Sequence, residues 1–342
     1  MIPLLVAFLI SFSTVYILTP KVITLMKTKG FLGKDMNKYN HPNIAELGGI
    51  PIFIGFSFAI ISIIFFASYL GFEIDLIQVI AGMLTIVLIG FIGTVDDIIG
   101  WKKGIRQWQH ALFPIIAALP LMAVNITNPP ITLPFIGLLP QEYVLPFGVI
   151  SFGLVYSLVL IPIGVTGASN ATNMLAGLNG LESGLSILII LTLGIVAFFT
   201  GKMEALIFAV AMLGALIAFL KYNWFPAKIF GGDGLTLMSG ASIAVISILG
   251  DMEKIGIALL ALFFIELFLK ARNKFQGESF GIPQKNGTLL APKRKQSLTH
   301  YFMIIKKTTE DKIVLKILAT QVIICVLVLI VAYLNNIRVL KI

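Results

Sequence analysis

Two adjacent carboxylates, Asp96 and Asp97, close an apolar run in a chain that is otherwise poor in charge. Further along, Asn170, Asn173, Gly177, Asn179 and Glu182 share one short stretch. Asp233 is framed by Gly231, Gly232 and Gly234, directly behind Phe230. The segment 272–300 gathers Lys and Arg and ends on His300. Carboxylates and amides near lipid are costly, so they are usually retained for function. Several of them on one face of a membrane suggest an enzyme whose active site opens to the cytosol.

Each cluster supports a chemical and a plainer reading. Neighbouring helical carboxylates point about 100° apart, so Asp96 and Asp97 cannot serve one small ion in the same way. They can divide two tasks, one toward a phosphate-bound metal or a proton, the other toward lysines. The plainer reading is an interfacial stop answered by Lys102 and Lys103. Asn170, Asn173 and Gly177 are spaced to share one helical face. Their amide oxygens suit Mg²⁺, which takes few protein ligands beside water and phosphate oxygens. They equally suit a small-polar packing seam between membrane helices. The glycines around Asp233 free the backbone and expose amides that can face a phosphate. The Lys-Ser/Thr ending of a nucleotide P-loop is missing there. Phe230 offers a flat ring for stacking a base; the plain alternative is a Gly-rich turn with a solvated Asp. The basic segment suits a phosphate clamp or anionic lipid headgroups; nucleic acid is not expected.

These residues must be positioned by membrane helices. The chain has 342 residues, 58% hydrophobic and only 12% charged, with a mean hydropathy of +0.99. A soluble domain carries about 25% charged residues. A membrane span needs roughly 20 apolar residues. Ten candidates follow, at about 2–19, 48–70, 77–95, 110–126, 144–165, 183–200, 203–220, 236–250, 255–270 and 314–334. The first lacks the basic flank and cleavage site of a signal peptide and reads as a span. The loops after the odd-numbered spans, with Lys270 at the rim of the last, hold 20 of the 25 Lys and Arg, which places them in the cytosol and both termini outside. Every polar cluster falls in, or at the rim of, one of those loops. A short external hairpin is expected at 127–143, and an ordered cytosolic excursion at 271–313. The expected architecture is therefore one all-α polytopic domain, 1–342. Cys325 is the single cysteine, so disulfides within one chain are excluded. No zinc-type spacing of His and Cys occurs.

Taken together, these residues resemble the polyprenyl-phosphate N-acetylhexosamine-1-phosphate transferases. That family includes bacterial MraY, the bacterial GlcNAc-1-phosphate transferases and the eukaryotic dolichyl-phosphate enzyme. The likeness spans Lys34 to His300. Asn-Ala-x-Asn-x-Leu-Ala-Gly-x-Asn-Gly-Leu-Glu at 170–182 looks like the archaeal and eukaryotic branch. So does Gly33-Lys34-Asp35-Met36-Asn37-Lys38 followed by Pro42 and Glu46-Leu47-Gly48-Gly49.

The resemblance implies a set of roles. Asn173 and Asp233 match Mg²⁺ ligands, and Asp96 and Asp97 match the family's acidic pair. Gly177 and Asn179 match residues that hold uracil, and Phe230 matches the ring stacked on it. Lys34, Asp35, Met36 and Glu46 match a nucleotide-sugar contact region. Arg272, Asn273 and Lys274 fall where the eukaryotic enzyme has Arg-His-Arg around the sugar pyrophosphate. A phosphate-contacting lysine after the acidic pair has no clean match; His110 stands there, with Arg106 as a substitute. His300 sits in Leu298-Thr-His300-Tyr-Phe302, which keeps only the middle of MraY's three histidines. That argues against a muramoyl-pentapeptide donor.

The implied reaction joins UDP-GlcNAc and a polyprenyl phosphate of the dolichyl type, with Mg²⁺ as cofactor and UMP released. It would open lipid-linked glycan assembly, such as N-glycosylation, at the cytoplasmic face of the cell membrane. UDP-GalNAc or UDP-MurNAc-pentapeptide are alternative donors, and an ion-coupled transporter is the alternative class. A homodimer is compatible with the sequence, which carries no mark of one.

Overall fold

The structure is a computed structural model; it describes residues 1–99, 107–124, 132–133, 137–138, 142–145, 148–151, 155–305 and 307–339. It is mostly helical. Among the described residues, seven helices are long and apolar enough to cross a membrane. They are α1 (Ile2–Lys29), α2 (Gly49–Leu70), α3 (Leu76–Ile99), α7 (Leu181–Thr200), α8 (Met203–Asn223), α9 (Gly232–Leu249) and α13 (Glu310–Val339). Between them lie α4 (Gln107–Ala117), α5 (Leu119–Ala123), α6 (Ile161–Met174), α10 (Glu253–Leu259), α11 (Ala261–Arg272) and α12 (Leu298–Ile305).

Three expected spans differ from a single straight helix, each for a local reason. The run 110–126 is shared by α4 and α5, with Pro120 at the start of the second piece. The run 255–270 breaks at Leu260 between α10 and α11. The run 144–165 begins as strand: Glu142–Leu145 pairs antiparallel with Gly148–Ser151. Its Val and Ile side chains favour extended backbone. A π-helical turn at Tyr156–Leu160 runs directly into α6, which carries Pro162 near its start. The expected external hairpin is thus accompanied by a second one. A shorter pair, Thr132–Leu133 with Gly137–Leu138, precedes it.

The centre of the fold is α9. In its most apolar stretch 89% of residues are buried, against 28% in α1 and in α13. Helices α3, α6, α7 and α8 pack around it. Small residues allow the close approach. A Cβ at Gly240 would lie 2.3 Å from the Ala168 carbonyl of α6. Thr172 of α6 donates its hydroxyl to the Thr236 carbonyl of α9 at 2.7 Å. That seam carries Asn173 to the start of α9, where Asp233 lies.

The excursion after α11 is ordered, as expected. Ile282–Pro283, Thr288–Leu290 and Thr308–Thr309 form a three-stranded sheet beside α12. Glu266 on α11 is fully buried and fastens this excursion to the helices. Its carboxylate accepts Ser297 Oγ at 3.1 Å and the Leu298 N–H at 2.6 Å, and faces Lys270 at 3.6 Å. An acid in an apolar run is therefore tied into the structure.

Candidate active site

Glycine decides where the acids meet. A Cβ at Gly93 of α3 would sit 2.4 Å from the Asp233 carbonyl. At Gly232 it would sit 2.3 Å from Asp97 Oδ2, and the φ of +68° there favours glycine. The end of α3 consequently abuts the first turn of α9. Asp97 accepts the backbone N–H groups of Asp233 at 2.8 Å and Gly234 at 3.0 Å. The first N–H groups of a helix have no internal partner and carry partial positive charge. Asp97 supplies the acceptor from another helix. Buried Asp96 instead shares a side-chain hydrogen bond with Asp233, whose carboxyl also meets the Asn173 side chain. The adjacent acids do divide two tasks. Asp97's task is a helix N-terminus, where the sequence suggested lysines.

A fourth carboxylate joins them. The chain at 45–49 runs beside 229–231: the Phe230 N–H donates to the Ala45 carbonyl at 2.8 Å, and the Gly48 N–H to the Phe230 carbonyl at 2.9 Å. This brings Glu46 within electrostatic range of Asp97. Half-buried, Glu46 has its carboxyl pushed above the usual range by desolvation. Like charges about 4 Å apart cost on the order of 4 kcal/mol at an effective dielectric of 20. Asp233 meets Asp96 and Asn173, and Asp97 stands within range of both Asp233 and Glu46, a concentration of carboxylates that favours a bound cation. Among the described residues no three His, Cys, Asp or Glu side chains form a ready metal cage. Mg²⁺ does not require one, since it keeps waters and takes one or two carboxylates plus phosphate oxygens. Asn173 and Asp233 fit that donor set.

Beside the acids lies a buried polar cluster. The helical face expected to include Gly177 ends earlier: α6 stops at Met174, and Gly177 adopts a φ of +104° outside it. Its N–H donates to Glu182 at 2.6 Å and its carbonyl accepts from Asn37 at 2.7 Å. Phe280 lies against it, 2.9 Å from where a Cβ would be. Asn179 is held by four hydrogen bonds. Its Oδ1 accepts from Lys38 at 3.2 Å and from the Ala227 N–H at 2.9 Å, and its Nδ2 donates to Asp35 at 3.3 Å. Its backbone N–H donates to Glu310 at 2.6 Å. Asp35 and Asn179 therefore face each other inside the protein, while Lys34 is exposed.

A cavity of about 460 Å³ opens on the other side of this cluster. Met36, Phe280, Gly281, Arg294 and His300 are among its lining residues. The Nδ1 of His300 accepts the Gln296 N–H at 3.1 Å, so its Nε2 carries the proton and donates to the Phe280 carbonyl at 2.9 Å. Burial, above all, holds this imidazole below its ordinary pKa. Arg272 closes α11, with Asn273 and Lys274 directly after it. There Asn273 donates to the Leu269 carbonyl at 2.8 Å, and Lys274 has a φ of +54°. The arginine lining the cavity is Arg294. His110 is in α4; its side chain lies outside the described residues, as does Arg106.

The structure thus gathers Glu46, Asp96, Asp97, Asn173 and Asp233, with Phe230 contributing its backbone to their scaffold. It adds Phe280 and Glu310, which the sequence did not single out. Asn37 and Lys38 stand in the 33–38 motif and Arg294 in the basic segment, without roles of their own there. Glu310 heads the last helix as an ordinary first-turn acid, and nothing local marks it.

The sequence model described as glycosyl transferase family 4 matches residues 79–251, from α3 to just past α9. A protein of Saccharolobus solfataricus, provisionally named UDP-N-acetylglucosamine–dolichyl-phosphate N-acetylglucosaminephosphotransferase, is 35% identical over 96% of both chains. A namesake from Sulfolobus acidocaldarius is 33% identical over 95% of this chain and 94% of its own. The phospho-N-acetylmuramoyl-pentapeptide-transferase of Clostridium perfringens is 29% identical over 77% of this chain and 80% of its own. With α3, α6 and α9, the elements that build the acid cluster, all inside the matched region, the chain belongs to glycosyl transferase family 4.

Proposed function

We propose that this protein transfers GlcNAc-1-phosphate from UDP-GlcNAc to a polyprenyl phosphate of the dolichyl type, releasing UMP. The observation that carries this reading is the meeting of Asn173, Asp96 and Asp233 at one point, on a chain similar over nearly its whole length to proteins named for that activity. The topology proposed with it has ten spans, both termini outside and the acid cluster at the cytosolic rim of the cell membrane. The distribution of Lys and Arg supports that orientation.

In this reaction an oxygen of the lipid phosphate attacks the phosphorus that bears the sugar. A new P–O bond forms and the bond to UMP breaks. A phosphate monoester has a second pKa near 6, so at pH 7 the acceptor is largely dianionic and needs no strong base. The obstacle is bringing a dianion to an anionic pyrophosphate. Mg²⁺ held by Asn173 and Asp233 would supply the neutralising charge. Asp97 fixes the first turn of α9, and so the place of Asp233. Asp96 is the acid left to orient the acceptor or take its residual proton. Arg294 and its basic neighbours in the excursion would hold the transferring phosphate. Catalysis is then positioning and charge stabilisation, as in other phosphoryl transfers.

The test is purified protein with radiolabelled UDP-GlcNAc and polyprenyl phosphate, with Mg²⁺ or with EDTA. Mg²⁺-dependent label in a lipid diphosphate, with UMP released, is expected. Transfer only from UDP-GalNAc or the muramoyl donor would keep the chemistry and change the substrate. No transfer from any donor by folded protein would favour ion-coupled transport.

A further inference from the structure

Behind the cavity wall, three distant segments meet at one buried ion cluster. Lys38 comes from the turn after the strand Leu32–Lys34, Asn179 from the turn before α7, and Glu310 from the first turn of α13. The Lys38 ammonium contacts the carboxylates of Glu310 and, at 3.1 Å, Asp35, and it donates to Asn179 at 3.2 Å. It also lies 4.3 Å from the centre of the Phe225 ring. Asp35, Asn179 and Glu310 are 3%, 4% and 1% exposed. Removing Lys38 would leave two buried carboxylates without their shared cation, the most damaging way to break such a pair.

The cluster is joined to the cavity through Asn37 and Met36. Asn37 donates to the Gly177 carbonyl at 2.7 Å and accepts the Gly281 N–H at 3.0 Å. It thus holds the turn below the cavity to the excursion above it. Met36, between Asp35 and Asn37, lines the cavity itself. Glu310 stands where the excursion returns to the membrane helices, so its bond to Lys38 sets how that return is seated. The contacts of Asp97 and Asn173 with Asp233 are made by α3, α6 and α9 and involve neither Lys38 nor Glu310.

We infer that Lys38 and Glu310 form a positioning pair for the nucleotide-sugar side of the site, shaping the cavity wall without touching the phosphates that react. This rests on the proposed transferase reading. It separates two quantities: weakening the pair should loosen donor binding while leaving acceptor binding and the chemical step nearly intact.

The experiment compares wild-type protein, Glu310→Gln and Lys202→Met in steady-state transfer with donor and acceptor varied separately. Glu310→Gln keeps an acceptor for the Asn179 N–H and loses the ion pair. Lys202 pairs with Asp251 away from the cluster, so Lys202→Met reports the loss of an ion pair as such. The expected result for Glu310→Gln is a donor KM raised about tenfold, near 1.4 kcal/mol. Acceptor KM and kcat should stay within about twofold, near 0.4 kcal/mol. Lys202→Met should leave all three unchanged. An unaltered donor KM, or an equal fall in kcat, overturns the inference. If Glu310→Gln does not accumulate, Lys38→Arg reads the same quantity, because the forked guanidinium cannot replace a compact ammonium among three oxygens; an unaltered donor KM there overturns it too. Wild-type protein that neither turns over nor is stabilised by a nucleotide sugar defeats the functional reading itself, and does so before any variant is made.

Discussion

Asp97 and Asp233 are bound to each other through backbone, not through their charges: the Asp97 carboxylate accepts the Asp233 N–H at 2.8 Å. The side chain of Asp233 is thereby left to Asn173 and Asp96. One acid builds the site and another faces its contents. Substitutions at the two should therefore fail differently.

Asp233→Ala is expected to abolish transfer, with a loss of at least about a thousandfold, in protein that extracts and melts normally. Asp97→Ala is expected to lower the stability of the fold by about 1–2 kcal/mol, the cost of a lost helix cap, and to reduce turnover through the displaced first turn of α9. Thermal unfolding in detergent beside initial rates separates them. Near-normal turnover in Asp233→Ala would sink the metal assignment.

Asn173 offers an amide where a carboxylate would bind a cation more strongly. Asn173→Ala should raise the Mg²⁺ concentration for half-maximal rate about tenfold, near 1.4 kcal/mol, and saturating Mg²⁺ should recover much of the rate. A titration with an unchanged midpoint would remove Asn173 from the ligand set.

Gly93→Ala tests the contact between α3 and α9. Its Cβ would meet the backbone of Asp233 at 2.4 Å, which no side-chain rotation relieves. Overpacking of this kind costs about 1–3 kcal/mol. Gly30→Ala is the contrast, because its Cβ meets nothing within 4 Å and only the φ of +80° opposes it. The expected pattern is lost activity for Gly93→Ala and a modest fall in melting temperature alone for Gly30→Ala.

His300 gives the excursion a pH dependence. Its pKa is lowered in the folded protein from the ordinary 6.5, chiefly by burial, so the folded state binds fewer protons than the unfolded one. Stability from this group is full above about 6.5 and falls as pH drops toward the folded pKa, by at most about 1.4 kcal/mol per pH unit. A proton on Nδ1 would also confront the Gln296 N–H. Melting temperatures between about pH 5 and 8 should decline on the acid side in wild-type protein and less steeply in His300→Gln. Parallel curves would refute the assignment.

Glu266→Ala leaves Lys270, Ser297 and the Leu298 N–H without their buried acceptor. Breaking a buried pair in this way costs about 3–5 kcal/mol. Limited proteolysis should cut within 273–297 in the variant before any helix is cleaved.

What the sequence determined by itself was the helices and the inventory of reactive groups. Long apolar runs have few low-energy conformations beside lipid, so α1, α2, α3 and α9 could be read from hydropathy alone. The Asp233 turn was legible because glycines mark backbone that side chains would obstruct. Asp96, Asp97 and Asn173 were visible as polar groups where polarity is expensive, and Glu46 through the family resemblance. Tertiary structure alone decided how those groups are partnered. It assigned Asp97 to a helix end and Asp96 to Asp233. It spent Asn179 and both nitrogens of His300 on internal bonds, and left Arg272 and Lys274 at the end of α11 while Arg294 lines the cavity. Lys38 and Glu310 lie 272 positions apart, and only the folded chain brings them into contact. Hydropathy and spacing are local properties, whereas a hydrogen bond in a buried site is a meeting of distant segments. The distinction is physical: the solvent selects the helices, and packing selects the pairs.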